Sequence, residues 1–95
     1  MKQYVAVIYR PGSRWQQGTE FRKQPGIMEH VGFLQEQFKG GTLKAGGPFL
    51  DDTGGLSIFE TSDIAALKLD VESDPTIVNG LMTFEMHPVS FPFER

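Results

Sequence analysis

The chain has 95 residues, a formal net charge of −3, 39% hydrophobic and 22% charged residues, and no cysteine. Those values describe a single globular domain spanning 1–95 with a modest core. The missing thiols exclude disulfide scaffolds, thiolate zinc sites and cysteine nucleophiles, and the mild acidity speaks against nucleic-acid or anionic-membrane partners, which need a basic face.

In chain order, Tyr4–Tyr9 is β-branched and aromatic without a polar interruption, which predicts a strand covered on both faces. Arg10-Pro11-Gly12 ends it. Ser13–Gln24 has little periodicity and predicts a loop that is long for so small a domain, and such loops often carry function. Pro25–Lys39 is the clearest helix: Ile27, Val31, Leu34 and Phe38 recur on one face, Pro25 suits a first turn and Gly40-Gly41 a helix end. At ~100° per residue, His30 falls at the edge of that stripe, where packing can hold a side chain that still faces a cleft.

Thr42–Phe49 predicts a second strand, which Gly46-Gly47-Pro48 bends or confines to a sheet edge. Leu50–Gly55 is hairpin-turn chemistry, and Leu56–Thr61 predicts a third strand antiparallel to the second. Ser62 or Asp63 caps a second helix with Ile64, Leu67 and Val71 on one face. Ser73-Asp74-Pro75 starts a further short helix or turn, since Ser or Asp before Pro makes a good cap and first position. Leu81–Pro88 alternates as a fourth strand, with Met82, Phe84 and Met86 on one side. The tail from Val89 is too apolar to be free and is expected to pack on the domain or on a partner.

The order β-α-β-β-α-β is that of an α+β, ferredoxin-like fold with a four-stranded antiparallel sheet. Two helices cover one sheet face, yet the first strand is apolar on both. A second copy of the chain covers the other face in this reading, and eight phenylalanines support such a homodimer. No apolar run reaches ~20 residues, and Met1-Lys2-Gln3-Tyr4 leads into a strand without a signal-peptide core. The expectation is a cytoplasmic protein with no membrane partner.

Several motifs together resemble the YciI-like (YCII-related) family: Met28-Glu29-His30, Gly46-Gly47-Pro48-Phe49 followed by Asp51-Asp52 and Gly54-Gly55, Ser73-Asp74-Pro75, and Met86-His87-Pro88. The resemblance covers nearly the whole chain. It implies a dimeric α+β barrel, similar to muconolactone-isomerase-like proteins, in which two ferredoxin-like sheets pack face to face. It also implies an active-site pair matching His30 and Asp74, with no cofactor. One related activity is dehydrochlorination of a chlorinated muconate. The Arg10–Gln24 segment looks like an insertion relative to the shortest members, so the mouth of the pocket is expected to differ.

A histidine with one nitrogen held by a carboxylate is oriented for proton abstraction next to a carbonyl, as in isomerisation or elimination. The bland alternatives are a helix-edge His30 and an Asp74 that only caps a helix. Gly47, Pro48 and Phe49 are candidates for shaping a substrate pocket, against a simple bulge and strand end. Ser73 is a candidate for lining the same pocket. Arg10 is a candidate for a substrate carboxylate, against a surface ion pair. Asp51 and Asp52 read as turn formers, and His87 as structural. Two histidines and scattered carboxylates form no familiar metal set, no phosphate loop precedes a helix, and no nucleophile elbow is present. Two functions follow. The first is a cofactor-free lyase or isomerase acting on a small molecule such as a muconate-like acid, through His30 and Asp74. The alternative is a non-catalytic dimeric module that binds or senses a metabolite.

Overall fold

The structure is a computed structural model that describes residues 2–95. Four strands, β1 (Gln3–Pro11), β2 (Leu43–Pro48), β3 (Gly55–Thr61) and β4 (Met82–Val89), form one antiparallel sheet in the order β2-β3-β1-β4. Helix α1 (Ile27–Lys39) connects β1 to β2, and α2 (Ile64–Glu72) with the short α3 (Pro75–Val78) connects β3 to β4. This is the ferredoxin-like α+β arrangement expected from the order of elements. β2 lies at an edge, where the missing N–H of its terminal Pro48 interrupts no ladder: the next amide, that of Phe49, is the one that donates across to Gly54.

The core follows from strand alternation. Val5, Val7 and Tyr9 of β1 face the helices and are buried, as is Phe59, which pairs with Val5. Ile27, Leu67 and Val71 come down from α1 and α2, and Met82 closes the far edge from β4. On the opposite sheet face Ala6 and Ile8 lie opposite Ile58 and Leu56, and these four, with Tyr4, remain half-buried.

The helix starts two residues later than the sequence suggests. Gly26 has φ +88°, which no helical residue adopts, so Pro25 lies outside the first turn and the helix begins at Ile27. In α2, Asp63 is the cap, accepting from the Ala66 amide. The apolar tail divides: Phe91 stacks edge-on against Tyr4 with ring centroids 5.3 Å apart, whereas Phe93 is fully exposed. Among the described residues no helix is long and apolar enough to cross a membrane.

Candidate active site

Helix α1 and the turn before α3 bring His30 and Asp74 into contact, although 44 positions separate them. His30 Nδ1 lies 2.5 Å from Asp74 Oδ2, and both side chains are buried. Because a carboxylate is an acceptor, Nδ1 carries the hydrogen and donates it. Asp74 also caps α3: its Oδ1 accepts from the Thr76 amide at 2.9 Å and from the Thr76 hydroxyl at 2.8 Å. The capping role and the pairing role that the sequence poses as alternatives are both filled, one by each carboxylate oxygen. The cap fixes the carboxylate, and the carboxylate in turn fixes the imidazole.

His30 opens onto a cleft of about 660 Å³ between α1 and the β2–β3 hairpin. Asp74 does not line it. The carboxylate therefore occupies Nδ1 from behind, and Nε2 is the nitrogen left to meet a ligand. The walls are mostly apolar. Val31, Leu34 and Phe38 line the cleft from α1, and Phe38 is 63% exposed. The apolar stripe that suggested core packing thus splits: Ile27 enters the core, Leu34 packs against the core and also lines the cleft, and Val31 and Phe38 form pocket wall. His30 is the more deeply buried, at 3% exposure, because Tyr9 and Phe21 pack edge-on against its ring, with centroids at 4.8 and 6.4 Å.

Phe21 comes from the long segment between β1 and α1. That segment is ordered by a side chain the sequence did not single out. Buried Gln24 donates from Nε2 to the carbonyls of Gln16 and Thr19, at 2.9 and 2.8 Å, and accepts from the Gln16 amide at 2.8 Å. One glutamine thus satisfies three backbone groups that have no ladder to join. A single 3-10 turn over Phe21–Lys23 follows. Its first amide donates to Asp52 Oδ1 at 3.0 Å, which ties the segment to the tip of the β2–β3 hairpin. Asp52 is a turn former, with φ +61°, and in addition a clamp on the pocket wall.

The remaining sequence candidates fall on both sides of this boundary. Gly47 and Pro48 line the cleft, as does Gly46. Phe49 does not; it borders a shallower hollow with Leu56 and Ile58. Ser73 ends α2 at the surface, its hydroxyl donating to the Asp70 carbonyl. Arg10 follows the inward-facing Tyr9 and so lies on the opposite sheet face. There its Nε donates to Glu85 at 2.7 Å. His87 Nε2 reaches the other oxygen of Glu85 at 2.8 Å. These two contacts, His87 first and Arg10 second, hold the Glu85 carboxyl below its usual range.

Tyr9 and Ser57 are among the cleft residues that were not picked out from the sequence. Burial raises the Tyr9 phenol well above its ordinary pKa. The Ser57 hydroxyl beside it offsets part of that rise, and the nearby Asp74 charge adds to it. Burial thus favours the protonated phenol, which is a hydrogen-bond donor. Among the described residues, no group of three or more His, Asp or Glu side chains is arranged around a common point as metal ligands are.

No family model matches the chain, and no curated protein sequence matches it. Its fold is similar to that of the 5-chloro-2-hydroxyhydroquinone dehydrochlorinase of Burkholderia phenoliruptrix, solved in complex with 2,5-dihydroxybenzoquinone. The TM-score is 0.67 at 22% sequence identity, over 90% of this chain and 93% of that one. At that identity the likeness shows the shared α+β fold, and the chemistry must be argued from the side chains.

Proposed function

We propose that the protein is a cofactor-free lyase of the YCII-related type, which eliminates a small leaving group from an oxygenated substrate with His30 as general base. The observation that carries this reading is the buried His30–Asp74 pair, backed by a capped carboxylate and open to an apolar cleft. The likeness in fold to a dehydrochlorinase lends it weight and favours a hydroxylated ring over an open-chain muconate as the first substrate to try.

In this mechanism Nε2 takes a proton from a hydroxyl of the substrate. The released electron pair forms a C=O bond, the conjugated C=C bond shifts by one position, and the leaving group departs with its bonding pair from a carbon made tetrahedral by ketonisation of a second hydroxyl, whose hydrogen that carbon keeps. No electron is gained or lost overall. The Asp74 carboxylate stabilises the imidazolium formed, and Nε2 then returns its proton to solvent. The cleft's apolar walls hold the ring and displace water from it.

The test is chloride release from 5-chloro-2-hydroxyhydroquinone. Wild-type protein should release chloride faster than the uncatalysed reaction, and His30→Gln should be slower by about 10²- to 10⁴-fold, the usual contribution of a positioned acid–base group. Binding of 2,5-dihydroxybenzoquinone without turnover of any chlorinated hydroxyquinol would favour the ligand-binding module instead.

A second copy of the chain completes this reading. The half-buried face formed by Ala6, Ile8, Leu56 and Ile58 suits a sheet-to-sheet homodimer of the α+β barrel kind. Sedimentation at micromolar concentration should give about twice the monomer mass, and Ile58→Lys, which puts a charge in the centre of that face, should shift the protein to monomer. A wild-type monomer would refute the dimer.

A further inference from the structure

Among the described residues, two buried side-chain oxygens have no hydrogen-bond partner: the hydroxyls of Tyr9 and Ser57. Native cores contain few such groups, because burying a hydroxyl without a partner is destabilising. These two are not scattered. Tyr9 on β1 pairs with Gly55, and Ser57 on β3 pairs with Val7, so both stand on the helix-facing side of adjacent strands. Both line the cleft that holds His30, and the Tyr9 ring packs directly against the imidazole. On the third strand Gly46 pairs with Ser57. A Cβ at Gly46 would lie 3.2 Å from the Ser57 hydroxyl oxygen, so it is the bare glycine backbone that leaves this hydroxyl room.

The two hydroxyls lie close enough for Ser57 to act on the Tyr9 phenol, yet neither makes a hydrogen bond of good geometry, so each keeps a hydrogen to donate. We propose that Tyr9 and Ser57 form the oxygen-binding end of the cleft, together donating hydrogen bonds to a carbonyl or phenolic oxygen of a ring-shaped substrate whose remaining edge meets the apolar walls. The substrate class is therefore a hydroxylated or quinone-like ring, bound by an oxygen conjugated with the position that His30 deprotonates. This assignment rests on the general-base reading of His30. When the proton moves from substrate to Nε2, negative charge spreads to that oxygen, and two fixed donors there stabilise the charge where it develops. A carboxylate is a poorer occupant of this end, because the buried Asp74 charge lies near Tyr9, and the lysine that lines the cleft, Lys39, stands in the last turn of α1.

Tyr9→Phe, Ser57→Ala and the double variant test the assignment with two ligands: 2,5-dihydroxybenzoquinone, and p-xylene as a ring without oxygen. Affinities are read by ligand-observed NMR titration. Each single substitution should weaken quinone binding about 3- to 10-fold, as expected for one hydrogen bond, and leave p-xylene binding within about two-fold. Because each substitution removes an unsatisfied buried oxygen, the melting temperature should hold or rise. Quinone affinity in the double variant equal to wild type would overturn the assignment whatever His30 does. So would a matched loss of both ligands with a lowered melting temperature, since that marks a structural role. Chloride release that survives His30→Gln would instead sink the general-base reading, and the affinity comparison separates the two failures.

Discussion

Asp74→Asn is expected to abolish most turnover while leaving the fold intact. Asparagine caps a helix about as well as aspartate, so its carbonyl oxygen can still accept from the Thr76 amide and hydroxyl, now 2.9 and 2.8 Å from Oδ1. The group facing His30 then becomes an amide N–H₂, which donates. His30 Nδ1 must turn from donor to acceptor, and its hydrogen moves to Nε2. The nitrogen that faces the cleft is then already protonated and cannot take a proton from a substrate. A wrong tautomer with intact geometry costs about 10⁴-fold in the best-studied serine protease triad, and a loss of about 10²- to 10⁴-fold is expected here, read as chloride release. Melting temperature should change by only a few degrees.

Asp74→Ala separates the two roles. It removes the cap, at about 0.5–2 kcal/mol, and leaves a buried imidazole N–H without a partner, at about 1–3 kcal/mol. For a domain of this size each kcal/mol moves the midpoint by about 4–8 °C, so a fall on the order of 10–20 °C is expected. If Asn and Ala melted alike, the cap would be irrelevant. If Asp74→Asn kept wild-type turnover, the carboxylate would have no part in catalysis.

The fold was legible because its elements are short, strongly patterned and separated by turn chemistry. The unbroken β-branched and aromatic run of β1, the alternation in β4, the hairpin turn at Leu50–Gly55, and the Asp63 and Asp74 caps are local signals, and the sheet order follows once they are in sequence. The pairing of His30 with Asp74 is not local. Only the resemblance to a family put the two residues together, and only coordinates show one carboxylate serving both neighbours. The stripe on α1 misled in part, since periodicity reports a face that is apolar but not what the face meets. Val31 and Phe38 meet a cleft and Leu34 both cleft and core, and their chemistry would look the same over a core alone. Gln24 was invisible for a related reason: in sequence a glutamine in a polar loop reads as solvated, and its burial depends on where the backbone of Gln16 and Thr19 turns. Tyr9 and Ser57 read as ordinary strand residues, and their significance lies in bonds they do not make.

Gly54→Ala is expected to damage both fold and site, through a contact that has nothing to do with chemistry. Gly54 has φ +136°, and a Cβ there would lie 1.9 Å from the Tyr9 carbonyl oxygen and 2.9 Å from its carbon. Both are backbone atoms of the central strand, so no side chain can swing aside. Relief requires the β2–β3 hairpin to pull away from β1 at the point where Tyr9 pairs with Gly55. Placing Ala at a positive φ costs about 1 kcal/mol or more, and forcing apart packed backbone adds about 1–3 kcal/mol. The midpoint should fall by about 10 °C or more. The same movement would draw Asp52 away from the Phe21 amide and shift Tyr9 beneath His30, so the residual folded protein should bind 2,5-dihydroxybenzoquinone more weakly than wild type. Gly18→Ala is the control. Gly18 also has a positive φ, +80°, but a Cβ there meets nothing within 4 Å, so it carries the backbone strain without the collision. A similar fall in both variants would mean that strain alone sets the cost. A much larger fall in Gly54→Ala would show that the close approach of the hairpin to Tyr9 holds the pocket in shape.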